Sequence, residues 1–229
     1  MTGEIFQPIR LHYRVLNRNK IEKVFNRLRC IEFDASRKRW VWLYNEEAKS
    51  IDFDNKSSFI PEEIQPIIIG SFIWKGADAL VLDVRSYERA LEAIKFFDKK
   101  ISRSTAMVTH CSVVNKIFEM SESAISNFDV FFENNESMVE IKPEETMERM
   151  KRACLSSNHQ PDFQAITSFL DKEMERFFEV EKFPAHFYED GIKSLQASFI
   201  LRRIIAMERW RGNVSYSYKN ALQKLLNAN

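Results

Sequence analysis

The sequence predicts an α+β fold: a mixed or antiparallel sheet with helices on one face, followed by an α-helical C-terminal part. Three observations carry this prediction. Residues 9–15 (IRLHYRV) alternate as a half-buried strand does, residues 87–101 repeat apolar side chains at helical spacing, and helical periodicity dominates from residue 163 onward. At 45% hydrophobic residues, 229 residues suffice for a real core, and 19 Phe, 6 Tyr and 4 Trp make that core aromatic. Five Gly and six Pro exclude collagen, flexible linkers and glycine-rich phosphate loops as main features.

In the first strand Leu11, Tyr13 and Val15 share one face, and Arg10, His12 and Arg14 the other. Asn17 offers a cap for a helix carrying Ile21, Val24, Phe25 and Leu28. The runs IEF (31–33) and WVWLY (40–44), joined by the polar turn DASRKR, complete a β-α-β-β half-unit. After the polar stretch 45–65, PIIIGSFIW (66–74) and ALVLDVR (79–85) read as a hairpin across KGAD. Ser86 caps the next helix, whose stripe is Tyr87, Ala90, Leu91, Ile94, Phe97 and Ile101, and TAMVTH (105–110) closes a β-β-α-β half-unit. The order of these two half-units resembles a ferredoxin-like arrangement with an extra hairpin.

A short helix over 113–118 and a hairpin pairing FDVFFE (128–133) with MVEIK (138–142) are expected next, with Pro143 at a helix N1 position. The polar run SSNHQ (156–160) marks a linker. It divides the chain into a sheet-and-helix domain (1–155) and a helical subdomain (156–229) packed on it. Apolar stripes at 163–178, 192–205 and 218–226 supply the helices of the second part.

The formal charge of +1 hides a strong asymmetry. Residues 1–44 carry ten basic and four acidic side chains, a net +6, and residues 192–229 carry seven and one, also +6. The middle compensates, with −6 over 45–160 and −5 over 161–191. Either the basic ends pack against the acidic middle, or two basic surfaces stand ready for phosphate or an acidic partner. The same choice applies to the segment 192–210, with Lys193, Arg202, Arg203 and Arg209 beside an apolar stripe. Cys30, Cys111 and Cys154 are odd in number and widely spaced, so no disulfide framework or zinc knuckle is indicated. The start MTGEIFQPIR has no secretory-signal pattern, and no apolar segment is long enough to span a bilayer. These features point to a cytoplasmic protein with no membrane partner.

The leading functional expectation is a non-enzymatic binding module for nucleic acid or an acidic protein, acting through a basic and aromatic N-terminal sheet face. If Leu11, Tyr13 and Val15 face the core, Arg10, His12 and Arg14 lie on the open face. Turning Val41 and Leu43 inward would set Trp40, Trp42 and Tyr44 beside that basic row. Arg37, Lys38 and Arg39 in the adjoining turn would extend a positive rim. Rings that stack bases beside guanidiniums that meet phosphates resemble the working logic of an RNA-recognition-motif sheet, although KRWVWLY lacks that family's glycine pattern. The alternative is that the C-terminal helices cover these rings.

An enzymatic alternative comes from FDVFFENNESMVEIKP. Its Asp129, Glu140 and Lys142 have the layout of a PD-(D/E)xK nuclease, an Asp on one strand and Glu-x-Lys on the next. Glu140 and Lys142 share a strand face. The resemblance implies Asp129 and Glu140 holding Mg²⁺, Lys142 orienting the attacking water, and Glu119 adding a carboxylate. Phe128 stands where that motif favours Pro. Outside this alternative no cofactor or metal is expected, because His12, His110, His159 and His186 have no ligand spacing. A His110–Cys111 pair would point to opposite strand faces, and an Asp83–His110 contact reads as a structural hydrogen bond. A third possibility is a purely structural protein acting in a complex.

Overall fold

The computed structural model describes residues 2–53, 60–119, 127–132, 138–154 and 162–227. Strand β1 (Ile9–Val15) leads into α1 (Arg18–Phe25), where the Asn17 side chain accepts a hydrogen bond from the Lys20 amide at 3.0 Å. That bond satisfies one of the amides a helix start leaves without a partner. Strands β2 (Ile31–Asp34), β3 (Arg39–Leu43), β4 (Ile68–Trp74) and β5 (Ala79–Val84) follow as an antiparallel meander. Ser86 then caps α2 (Tyr87–Asp98) through the Arg89 amide at 3.2 Å, and α2 returns the chain to β6 (Ala106–Val114).

The remaining elements are α3 (Asp129–Phe132), β7 (Met138–Glu140), α4 (Pro143–Cys154), α5 (Phe163–Glu175), β8 (Val180–Pro184), α6 (Phe187–Trp210) and α7 (Tyr218–Leu226). Gly191, at φ 80°, breaks the first turn of α6 from the rest in a conformation that a residue with a Cβ rarely adopts. Among the described residues eight strands form one mixed sheet in the order β2-β3-β4-β5-β1-β6-β8-β7, and of their pairs only β7–β8 is parallel. Strands β5 and β6 run parallel to each other on either side of β1, with α2 as the crossover between them. The ferredoxin-like comparison covers neither this eight-strand width nor the parallel β7–β8 pair.

One face of the sheet is the core. Ile9, Leu11, Tyr13 and Val15 turn onto it from β1, meeting Phe25 of α1 and Phe97 of α2. Phe72 packs at 4.7 Å from Phe25 and 4.8 Å from Phe97, centroid to centroid, in the tilted and edge-on arrangements aromatic quadrupoles favour. The Gly70 position has no room for a side chain: a Cβ there would lie 2.9 Å from Leu82 Cδ1 and 3.2 Å from the Trp42 ring. The body of α6 continues the layer, with Phe199 buried against Phe183 of β8 and Tyr87 of α2. On the second face α3 contributes Phe131 and Phe132 to a smaller cluster with Phe6, Val114 and Val180.

Three expectations are corrected. Residues 113–118 hold no helix, because β6 runs on to Val114. The expected hairpin 128–142 is not formed: Asp129–Phe132 is a helical turn, and Met138–Glu140 pairs with β8 instead. The stretch after 162 is not wholly helical, since β8 inserts between β6 and β7. The expected linker 156–160 lies outside the described residues. Among the described residues no helix is long and apolar enough to cross a membrane.

Trp42 is completely buried, 5.0 Å from the Phe97 ring and 5.6 Å from Phe96. Trp42→Ala is expected to cost about 3–5 kcal/mol, the usual penalty for emptying a large aromatic site. Urea denaturation followed by far-UV circular dichroism measures it, and an unchanged midpoint would contradict this packing.

Candidate functional site

Because side chains alternate along a strand, the residues that β1 turns away from the core lie on the second face. Register places Ser71 of β4, Asp83 of β5, Arg10 of β1, Ser112 of β6, Lys182 of β8 and Glu140 of β7 in one row across it. At the centre Arg10 donates to Asp83 in a two-pronged contact, Nε to Oδ1 at 2.6 Å and Nη2 to Oδ2 at 2.9 Å. Both side chains are only 2% exposed. The same Nη2 reaches Asp129 of α3 at 2.6 Å, and the guanidinium lies 4.9 Å from the Phe132 ring. Lys75, in the β4–β5 turn, donates to the same Asp129 oxygen, Oδ1, at 2.8 Å.

Beside this ion cluster is a cleft of about 230 Å³. Its polar lining is Arg10, His12, Lys75, Ser112 and Lys182, and Val81, Phe132 and Met138 supply apolar wall. Among the described residues none of the lining side chains is acidic. His12 Nε2 is 2.8 Å from Ser112 Oγ, and Lys182 is held by Glu140 at 2.8 Å. The sheet is irregular here: β1 and β6 shift register between His12 and Tyr13, where Thr109 Oγ1 donates to the His12 carbonyl at 3.3 Å. Such a bulge re-aims the side chains around it.

Burial, then the charges of Lys182 and Arg10, push the His12 imidazole down to about 3, so it is neutral at physiological pH. His110 is lowered by burial and by Lys182. Desolvation opposes the charge on Arg10, but its bonds to Asp83 and Asp129 outweigh that and hold its pKa above the ordinary value. Desolvation likewise pushes Asp129 up, and Lys75 and Arg10 more than reverse it, leaving a carboxylate below its usual range. The cleft is thus lined by two ammoniums, a guanidinium, a hydroxyl and a neutral imidazole, with Arg10, Lys75 and Lys182 each paired to a carboxylate outside the lining.

Of the residues expected to bind, Arg10 and His12 reach this cleft. Arg14 is exposed at the end of β1, and Arg37 and Lys38 are exposed in the β2–β3 turn. Arg39 pairs with Asp34 at 3.1 Å and donates to Ser71 Oγ at 3.2 Å. These turn residues sit three strands from β1, roughly 14 Å at ordinary strand spacing.

Trp40, Trp42 and Tyr44 are corrected outright. They turn to the helix-covered face, 9%, 0% and 3% exposed, while Val41 and Leu43 turn to the arginine side. Stacking of bases on these rings is therefore not available. The nuclease layout lacks its scaffold as well. Asp129 is on a helical turn engaged with Arg10 and Lys75, Glu140 with Lys182, and Lys142 with Glu145 at 2.7 Å. Glu119 is exposed and lies outside any helix. Among the described residues no three His, Cys, Asp or Glu side chains converge as metal ligands. Cys111 is fully buried on the core side, and burial pushes its thiol up to about 12. Asp83 engages Arg10.

Sequence reasoning missed Lys75, Ser112 and Lys182. Extending the alternation of 105–110 by two residues would have put Ser112 beside His12; nothing local marks Lys75 or Lys182. Comparison with protein-family models, with curated proteins and with solved structures finds no match.

Two outcomes test this geometry. Asp83→Ala removes the two-pronged partner of a buried guanidinium, leaving it Asp129, and is expected to destabilise the fold by about 3–5 kcal/mol, read as a shifted urea midpoint. The second concerns pH. The unfolded His12 imidazole takes up a proton near its ordinary 6.5, whereas the folded one refuses it down to about 3. Its stabilising contribution is complete above pH 6.5 and is lost progressively as the pH falls. His12→Gln should flatten the decline in stability between pH 6.5 and 5, and an identical decline in both proteins would assign it to other groups.

Proposed function

We propose that the chain is a binding module that takes an anionic group of a larger partner, a nucleic-acid phosphate or a protein carboxylate, into the cleft beside Arg10. What supports the reading is one observation: the side chains of Arg10, His12, Lys75, Ser112 and Lys182 line one concavity in which, among the described residues, no acidic side chain takes part. The cleft is smaller than the roughly 300–1,000 Å³ of small-molecule sites, which suits one phosphate or carboxylate of a macromolecule. Arg14, Arg37 and Lys38, exposed near the same end of the sheet, would raise the local concentration of a negative partner without contacting its specific features. With Trp40, Trp42 and Tyr44 in the core, recognition by this face is of charge and shape, not of base identity.

Fluorescence anisotropy with a labelled oligo-dT and a labelled oligo-glutamate peptide tests the proposal. Affinity for at least one probe should fall steeply with added salt, and Arg14→Ala should reduce the magnitude of the oligo-dT salt slope by about one. Lys182→Ala should weaken binding about tenfold, the value of one charge-assisted hydrogen bond. The probe bound more tightly identifies the partner class. Absence of binding to both at low salt, or an unaltered affinity in Lys182→Ala, would overturn it.

A further inference from the structure

A second, larger concavity shares no lining residue with the cleft. It lies at the β7 edge of the sheet, on the helix-covered face, and encloses about 510 Å³ between β7, α4, α5 and α7. That volume falls inside the small-molecule range of about 300–1,000 Å³.

The floor is a buried polar network centred on Glu181. Glu181, 1% exposed, accepts from Arg202 Nε at 3.0 Å and Nη2 at 2.8 Å, from Tyr218 Oη at 2.8 Å and from Asn115 Nδ2 at 2.9 Å. Arg202 places Nη1 on Ser198 Oγ at 2.6 Å. With its carboxylate and guanidinium matched internally, the floor calls for no external counter-ion. The wall is apolar and incompletely covered: Ile141, Leu170, Met174, Phe178 and Leu222 line it, and Leu170 is 44% exposed.

The mouth differs from the floor in its charge balance. Glu173 receives two guanidiniums, Arg149 through Nη1 at 3.1 Å and Nη2 at 3.0 Å, and Arg176 through Nη1 at 3.0 Å. The two arginines together lower the Glu173 pKa against its desolvation, so one carboxylate faces two fixed cations. The other lining charges at the mouth are balanced, Lys142 by Glu145 at 2.7 Å and Glu140 by Lys182 at 2.8 Å. Two guanidiniums thus share one carboxylate directly above an apolar wall.

From this juxtaposition we infer that the pocket binds an amphipathic monocarboxylate. The alkyl body lies along Leu170, Met174, Phe178 and Leu222, and the carboxylate bridges Arg149 and Arg176 beside Glu173. Guanidinium suits this role because its planar fork matches a carboxylate. The pocket shares no lining residue with the sheet-face cleft, although Glu140 of the one is paired with Lys182 of the other, and the inference does not rest on the function proposed for that cleft.

Isothermal titration calorimetry of the whole chain with decanoate, decanol and decyltrimethylammonium decides it. Decanoate should bind one to one and at least about tenfold more tightly than the other two, the worth of a charge-assisted hydrogen bond. Arg176→Ala should weaken decanoate about tenfold and leave decanol unchanged, whereas Leu170→Glu should weaken both. Arg176 and Leu170 are each 44% exposed, so both variants retain the fold, and a thermal melt verifies it. No decanoate binding at millimolar concentration, equal affinity for decanoate and decanol, or indifference to both substitutions would overturn the inference.

Discussion

The ion pair of Arg10 with Asp83 is the constraint on which the rest of the sheet depends. It joins the two strands at the middle of the eight-strand order, and neither partner has access to water. A one-residue slip of β1 would carry Arg10 into the layer of Phe25, Phe72 and Phe97 and expel Leu11 from it. An unpaired guanidinium among those rings would cost several kcal/mol. The pair therefore sets which face of β1 is inside, and hydrogen-bonded register passes that decision outward to β5, β6 and β8. The third partner, Asp129, extends the same electrostatics to α3 and, through Lys75, to the β4–β5 turn.

Strand β8 then divides the two concavities by simple alternation. Glu181 turns to the helical face and holds the floor beneath α6 and α7, while Lys182 turns to the other face and enters the cleft. Contacts of this kind also account for much of the charge cancellation in the sequence. Arg10 from the basic start meets Asp83 and Asp129, and from the basic end Arg202 meets Glu181, Arg203 meets Glu88 at 3.4 Å and Lys219 meets Glu175 at 3.1 Å. The near-neutral total is thus partly spent inside the molecule, and the cations exposed near the end of β1 are a small remainder.

How far the sequence could be read depended on whether a segment's pattern had one physical solution. The alternation of β1 did, because its two faces differ completely in polarity, and the stripe of α2 did for the same reason. Strand β3 did not. RWVWL is apolar on both sides, so period-two reasoning could not say whether the indoles or Val41 and Leu43 face inward. Volume decides it: the space beneath α1 and α2 is filled by rings, and Trp42 belongs to that cluster. Strand β8 was hidden because five residues between two helical stripes carry too little pattern to register. Hence Arg10 and His12 of the cleft were legible, whereas Lys182, which arrives on an unrecognised strand, was not.

The aromatic character of one face and the polar character of the other are two sides of the same arrangement. Removing Trp40, Trp42 and Tyr44 from solvent takes away a stacking platform but gives the sheet a deep, well-packed support on one side. Arg10, His12, Ser112 and Lys182 all project from β1, β6 and β8, strands paired on both edges, so their backbone positions are held by ladders on each side. Under the proposed function, donors fixed in this way would lose little further freedom on binding an anion, which would favour recognition by pre-organised charge over recognition by an adaptable surface. The neutral His12 fits the same logic. Held uncharged by burial and by the cations around it, it supplies a hydrogen-bonding group without adding a further cation beside Lys182 and Arg10.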